Sequence, residues 1–257
     1  MVEYTLITGA SGGIGECFAR ALAARKHNLV LVARSQGKLE ALAGELRAAF
    51  KIQAEPVALD LSVPGAAATL AQLMSKRKLA IDLLVNNAGF GTPGEFWRSG
   101  LERLTEMVRL NVQTLMELTH LILPAMVERR RGAIINVSST ASFQPMPYSA
   151  VYAASKAFVT AFSLGLAEEL RPYGVRVVTL CPGGTATNFF VAGQYGTVHF
   201  PGGLQGPEEV VRAALQALDR SGGLVIPRLL NKFGVFIQRF VPRALVLRAT
   251  ARMFRRR

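Results

Sequence analysis

Cysteine is nearly absent: the 257 residues hold two, Cys17 and Cys181, each in apolar surroundings and without metal-ligand spacing. This excludes a disulfide framework and a thiolate zinc site, and it fits core thiols in a reducing compartment. Long apolar runs are absent too. No stretch of roughly 20 residues is free of charged and strongly polar groups, so no transmembrane span is expected. The first β-branched run begins by Tyr4, which leaves no room for a signal or transit peptide, and a cytoplasmic protein is the expectation. Internal repeats, low-complexity tracts and linkers are also missing. Residues 228–257 lack acid entirely. They carry nine of the cations (Arg228, Lys232, Arg239, Arg243, Arg248, Arg252, Arg255, Arg256, Arg257), so the net charge of +13 leaves only +4 for the first 227 residues.

What is present is alternation. Short β-branched runs at Tyr4–Thr8, Leu29–Ala33, Ala54–Leu59, Leu83–Asn86, Ala133–Ser138, Val175–Leu180 and Leu224–Pro227 are separated by stretches of helical periodicity. Apolar strands alternating with helices predict an α/β doubly wound fold, a seven-stranded parallel sheet with helices on both faces. The chain divides into a domain over 1–227, long enough to bury a substantial core, and a basic tail over 228–257.

The first strand runs into Thr8-Gly9-Ala10-Ser11-Gly12-Gly13-Ile14-Gly15 and then a helical stretch to Ala24. Glycines at 9, 13 and 15 remove side chains where backbone must turn tightly beside a pyrophosphate, and the helix N-terminus offers N–H groups and positive potential. Strand, turn and helix in this order are the context a dinucleotide site requires. The second strand ends at Arg34 with no acid adjacent, and a cation at that tip accepts a 2′-phosphate, which favours NADP(H) over NAD(H). A solvated arginine opening the next helix is the alternative. Asp60, after the third strand, suits the adenine amino group or, equally, a helix cap near Ser62.

Tyr152 and Lys156 stand four apart in a predicted helix over 149–170, so phenol and ammonium share one face. Tyrosine titrates near ~10, and a close cation that lowers this by two to three units would poise it for proton transfer near pH 7. Ser139, leaving the fifth strand, can hydrogen-bond the same substrate oxygen.

Taken together, Gly9-xxx-Gly13-x-Gly15, Asn86-Asn87-Ala88-Gly89, Asn111, Ser139, Tyr152-xxx-Lys156 and Pro182-Gly183 resemble the short-chain dehydrogenase/reductase family in order and spacing, over about residues 4–227. The resemblance implies that Tyr152 exchanges a proton with the substrate oxygen and Ser139 polarises it. Lys156 would hold the nicotinamide ribose, and Asn111 would anchor a water leading from Lys156 to solvent. Asn86 and Asn87 would tie the fourth strand to its neighbours, with Ala88 and Gly89 beside the cofactor. Pro182-Gly183 would pass close to the nicotinamide and Thr187 would bond its carboxamide or a phosphate. Gly12 stands where NADP-using relatives often carry a basic residue or serine, so the NADP(H) expectation rests mostly on Arg34. A homodimer or homotetramer would form through the two long helices, about 102–131 and 149–170.

Phe90, Phe143, Met146, Phe189, Phe190, Tyr195, His199 and Phe200 fall in or near loops expected at the C-terminal edge of the sheet. They predict an apolar pocket for a small-molecule carbonyl or alcohol of lipophilic character, or else a lid packed on itself. In the tail, Leu230, Phe233, Phe236, Ile237 and Phe240 recur at helical spacing, Pro242 interrupts, and a second run covers Arg243–Arg257. Two basic amphipathic helices suit an anionic membrane surface; packing on the catalytic domain or a second subunit is equally open. Nucleic acid leaves the apolar faces unexplained. The expected activity is an NADP(H)-dependent oxidoreductase, the alternative a dinucleotide-sensing scaffold acting through the tail.

Overall fold

The computed structural model describes residues 2–193, 195 and 202–254. Seven strands, β1 (Glu3–Thr8), β2 (Asn28–Ala33), β3 (Ala54–Ala58), β4 (Ala80–Asn86), β5 (Gly132–Val137), β6 (Val175–Leu180) and β7 (Gly223–Val225), form one parallel sheet in the order β3-β2-β1-β4-β5-β6-β7. The central strands are almost wholly buried because helices cover both faces, and their alternating side chains feed two cores. Ile7, Leu31, Val85 and Ile135 join Phe18 and Leu39 beneath α1 (Gly13–Ala24), α2 (Gln36–Phe50) and α8 (Pro207–Arg220). Leu6, Val30, Leu84 and Ile134 join Leu70, Leu118 and Leu166 beneath α3 (Ala66–Lys76), α5 (Leu115–Glu128) and α6 (Ala150–Leu170). At roughly 1.5–3 kcal/mol for each fully buried aliphatic side chain, this two-sided burial is the main force holding the sheet.

The strand order reverses beside β1, and the crevice between the C-terminal ends of β1 and β4 is the ligand site of such sheets. Two strand boundaries differ from expectation by more than one residue. β4 starts at Ala80 because Ala80 and Ile81 pair with Glu3 and Tyr4 of β1, and the polar Asp82 is passed over at a bulge before Leu83 pairs with Thr5. β7 ends at Val225, short of Pro227, which has no N–H to extend a ladder.

The single helix expected over 102–131 is α4 (Leu101–Val108), a π-helical segment at Arg109–Thr114, and then α5, which contains Pro124. The wide turn falls on Asn111. α6 runs on into a turn, and over 150–173 it is long and apolar enough to cross a membrane by length and composition. Here it packs on β6 and buries Ser155, Lys156, Thr160 and Ser163; the last three bond inward to β5 and its loop, and Ser155 bonds Asn111.

A short helix α7 (Phe189–Ala192) follows β6, and the tail forms α9 (Leu229–Ile237) and α10 (Arg243–Phe254). Pro242 does not enter α10. Its carbonyl accepts the first turn's N–H groups, from Leu245 at 2.9 Å and Val246 at 3.3 Å, which makes it the residue before the helix. His199, Phe200 and Arg255, Arg256, Arg257 lie outside the described residues. Cys181 is buried as expected, but Cys17 is only half-buried, its thiol directed at Glu208 Oε1.

Buried amides lock the middle of the sheet. Asn86 Nδ2 donates to Asn136 Oδ1 at 2.9 Å and to Thr119 Oγ1 at 3.1 Å, and Asn136 Nδ2 donates to Ser163 Oγ at 2.8 Å. Replacing Asn136 by Leu removes one of the partners of the buried Asn86, so urea unfolding should show a loss of about 1–3 kcal/mol.

Candidate active site

Ser139 follows β5 in extended backbone, and its Oγ accepts the N–H of Ala141 at 3.1 Å, which directs the hydroxyl toward α6. There it stands close enough to the Tyr152 phenol to oppose the rise in that group's pKa. Lys156, one turn on, is buried. Its Nζ donates to Val137 O at 2.8 Å and lies 6.0 Å from the Tyr152 ring centroid. Ser138 Oγ donates to the Lys156 carbonyl at 2.8 Å and pins that turn of helix to β5. Asn111 reaches the same place from the π-helical segment: its amide accepts Phe90 N–H at 3.1 Å and donates to Phe90 O at 2.9 Å and Ser155 Oγ at 3.1 Å. The four expected groups therefore converge from three elements.

The electrostatics differ from expectation. Burial pushes the Tyr152 phenol well above its ordinary value, the nearby Tyr195 adds to this, and the Ser139 hydrogen bond only partly offsets it. Burial likewise lowers Lys156 to about 8. The reason is that a half-buried phenol and a buried ammonium lie together with no acid beside them among the described residues, so desolvation penalises phenolate and ammonium alike. A tyrosine poised near pH 7 is not what this arrangement holds; the phenol is protonated at neutral pH.

The glycine turn fits a dinucleotide. A Cβ on Gly15 would strike Gly9 O and approach Asn87 Nδ2 to 2.6 Å, and one on Gly9 would come within 3.0 Å of Ala88 Cα. Backbone therefore packs directly on backbone at the end of β1. Gly9 and Gly13 take positive φ, 68° and 57°, and no side chain caps α1 at Gly12. Around Gly12 a Cβ would meet nothing within 4 Å, while Thr187 stands 3.1 Å from the Gly13 position, so the loop after β6 faces the helix N-terminus across open space. Ser11 and Ile14 lie in the same turn, Ile14 packed on the core beneath. Asn87 Nδ2 donates to Thr8 O at 2.9 Å, and Thr8 Oγ1 accepts the N–H groups of Asn87 and Ala88, each at 3.0 Å. A side chain on Gly89 would fall 2.9 Å from Asn111 Oδ1 and 3.4 Å from Lys156 Nζ, which places the asparagine and the ammonium beside the same strip of open backbone.

Arg34 is exposed at the tip of β2, and with Arg103 it acts on the carboxylate of Asp60. Asp60 Oδ1 accepts both Ser62 N at 2.9 Å and Ser62 Oγ at 2.6 Å, so it caps the turn ahead of α3, which starts only at Ala66. Pro182 is buried and its carbonyl accepts Thr140 N–H at 2.9 Å, joining the two loops that flank Tyr152. Gly183 meets a neighbour that sequence reasoning missed, Asn231 of α9, whose amide would lie 2.7 Å from a Cβ there.

On the substrate side the aromatic residues pack on one another. Phe189 lies 5.5 Å from Tyr152, 5.4 Å from Phe190 and 5.8 Å from Tyr195, centroid to centroid, and Met146 joins them. The Tyr195 hydroxyl is 3.1 Å from Ser149 Oγ and covers Gly91, where no side chain would fit. Phe90 is stacked under the Arg103 guanidinium at 3.7 Å, and Phe143 ends the turn after Ser139. Phe254, from the end of the tail, is 9% exposed and 6.3 Å from Tyr195. A cavity of about 500 Å³ opens beside this cluster, walled by residues 92–95, 98–100 and 103 with Tyr148 and Phe254. Tyr152 is not in that wall; this vestibule shares Phe254 with the aromatic cluster that packs on Tyr152. Among the described residues no group of three or more His, Cys, Asp or Glu could hold a metal ion.

Known proteins are similar to this chain in sequence and fold. The chain is 34% identical over 227 residues to a very-long-chain 3-oxoacyl-CoA reductase of Phaeosphaeria nodorum, covering 86% of this chain but only 64% of that protein's length. A short-chain dehydrogenase from Sphingobium yanoikuyae, solved in complex with NADPH, superposes with a TM-score of 0.84 at 34% identity, covering 95% of this chain and 94% of that one. A bulky-bulky ketone specific alcohol dehydrogenase from Comamonas testosteroni superposes with a TM-score of 0.79 at 31% identity, covering 94% and 96%. Residues 3–194 match the short chain dehydrogenase family, to which this protein therefore belongs.

Proposed function

We propose that this protein is an NADP(H)-dependent reductase of lipophilic ketones, with Tyr152 as the proton donor. The observation that carries the reading is the gathering of the Ser139 and Tyr152 hydroxyls with the buried Lys156, whose Nζ lies 6.0 Å from the Tyr152 ring centroid. When bound, the nicotinamide cofactor supplies the hydride. The two hydroxyls hold the carbonyl oxygen, and the Tyr152 proton passes to that oxygen as negative charge develops on it. A phenol kept protonated by burial suits this direction, since oxidation of an alcohol would need the phenolate at the outset. Lys156 and Asn111 orient the ribose side of the site, Gly9 to Gly15 admit the pyrophosphate, Thr187 closes over it, and Arg34 meets a 2′-phosphate.

A lipophilic substrate is supported by the aromatic cluster around Phe189 and by the names of the relatives, one a reductase of 3-oxoacyl-CoA, another specific for bulky ketones. That cluster must part to admit it. Exposed apolar side chains on α5 and α6, among them Met116, Leu121, Phe158 and Leu164, support a homodimer or homotetramer through these helices. The cytoplasmic enzyme would be held at an anionic membrane by its tail. A panel of 3-oxoacyl thioesters, bulky ketones and aldehydes, followed by NADPH absorbance, tests the activity. Binding of NADPH with no turnover of any member would favour the sensing scaffold.

Tyr152→Phe keeps the ring and removes the proton, so turnover should fall by about 10²- to 10⁴-fold with NADPH affinity intact. Wild-type turnover in this variant would refute the assignment. Arg34→Ala should weaken NADPH by at least tenfold, since a hydrogen bond involving a charged group contributes about 1.5–3 kcal/mol, and leave NADH binding unchanged; equal losses in titrations of both cofactors would overturn the 2′-phosphate role.

Lys156 gives a pH signature. Its value of about 8 in the free protein rises when ribose hydroxyls and phosphates surround the ammonium, so affinity should fall as pH rises through 8. Calorimetry in buffers of different ionisation enthalpy should show uptake of about half a proton on NADPH binding at pH 8, fading by about pH 6.5 and lost in Lys156→Met.

A further inference from the structure

We propose that the vestibule of the active site opens onto an anionic lipid bilayer, and that two separate elements beside it enter the membrane: the helices α9 and α10, and the segment 96–101 facing them. The inference rests on the membrane reading of the tail and adds to it a second element and an orientation.

Among the described residues, the tail presents an apolar face with no partner. Leu229 is 83% exposed and Phe240 69%, with Phe233 and Phe236 between them. Of the cations, Arg228 is not available, because it is bonded to Glu209 and to the carbonyls of Gly202 and Leu204. Lys232, Arg239, Arg243, Arg248 and Arg252 are exposed, and no acid lies anywhere in 228–257. α10 ends in the opposite environment, with Phe254 buried in the wall of the vestibule.

Directly across that vestibule, its wall is formed by Glu95, Arg98, Ser99 and Gly100. From this same turn Phe96, Trp97 and Leu101 project at 66%, 73% and 76% exposure. The Arg98 guanidinium stacks 4.4 Å from the Trp97 ring centroid. An indole beside a cation is an arrangement suited to the headgroup level, where an apolar body and a polar edge are both satisfied. Glu95 pairs Arg98 and Glu106 pairs Arg103, so this segment carries little net charge, and attraction to the surface comes from the tail.

Three occupants can be weighed on charge and shape. A second copy of the same face would bring unopposed cations against cations. Nucleic acid would neutralise the arginines but leave the phenylalanines in water. A bilayer with anionic headgroups takes both, cations at the surface and aromatic rings below it. With both rims of the vestibule seated there, a lipophilic ketone would pass from hydrocarbon to Tyr152 without crossing water.

Trp97 is the one tryptophan of the chain, so its emission reports this segment alone. Full-length protein is mixed with vesicles of phosphatidylcholine and phosphatidylglycerol, then with vesicles of phosphatidylcholine only. The expected result is sedimentation with the anionic vesicles, a blue shift of the emission, and quenching by brominated acyl chains. Arg239→Gln with Arg243→Gln should weaken binding about thirtyfold. Sedimentation without change in Trp97 emission overturns the inference while leaving the tail reading intact. No sedimentation at low salt defeats both. If Trp97→Ser breaks an oligomer in sedimentation velocity, the segment is a subunit contact and the inference is wrong.

Discussion

The contact on which the site depends is backbone against backbone at the end of β1. Gly9 and Gly15 touch with no side chain between them, and Asn87 ties both to β4 through Thr8 O and Gly9 O. Any Cβ there would push α1 away from the sheet. The N-terminus of α1 would then lose its aim at the crevice, and the positive end of the helix would serve no ligand. The hydrogen bonds of Thr8 and Asn87 hold this approach because the amides they satisfy are otherwise stranded where two strands diverge.

A second constraint is electrostatic. Attraction between a Tyr152 phenolate and the Lys156 ammonium, which lies 6.0 Å from the ring centroid, would favour both charged forms. Desolvation opposes it in both groups, and it wins, because no acid among the described residues stabilises the ammonium and only Ser139 donates toward the phenol. The site thus holds a proton on Tyr152 and a lysine near its midpoint, and both become responsive to whatever charge enters the cleft. Substrate and cofactor contribute to setting the working ionisation here, so the free protein alone does not set it.

The tail shows how one helix can have two loyalties. Asn231 and Leu230 are anchored against Gly183 and Gly202, and Phe254 is drawn into the aromatic cluster around Tyr195. Between these anchors the apolar face is uncovered. The helices are therefore part of the substrate end of the enzyme and also its most apolar outer surface, so the division at residue 227 is a division of composition more than of packing.

Much was legible in the order of residues because it follows from local rules. Period-two burial on both faces required a covered parallel sheet. Glycines between a strand and a helix required a cradle. The four-residue spacing of Tyr152 and Lys156 required one face of α6. Other features depended on what lies far away in sequence. Ala80 and Ile81 could join the strand across a bulge at the polar Asp82 only because β1 lies alongside, and Asn111 reached Phe90 through a wide π-turn that no periodicity announces. The direction of the Tyr152 shift turned on burial, a quantity that exists only once the chain has closed. So did the fate of Phe254, whose helical spacing was the same whether it faced lipid, water or Tyr195; its environment was decided by which surface α10 met at its end, and that is set by tertiary packing alone.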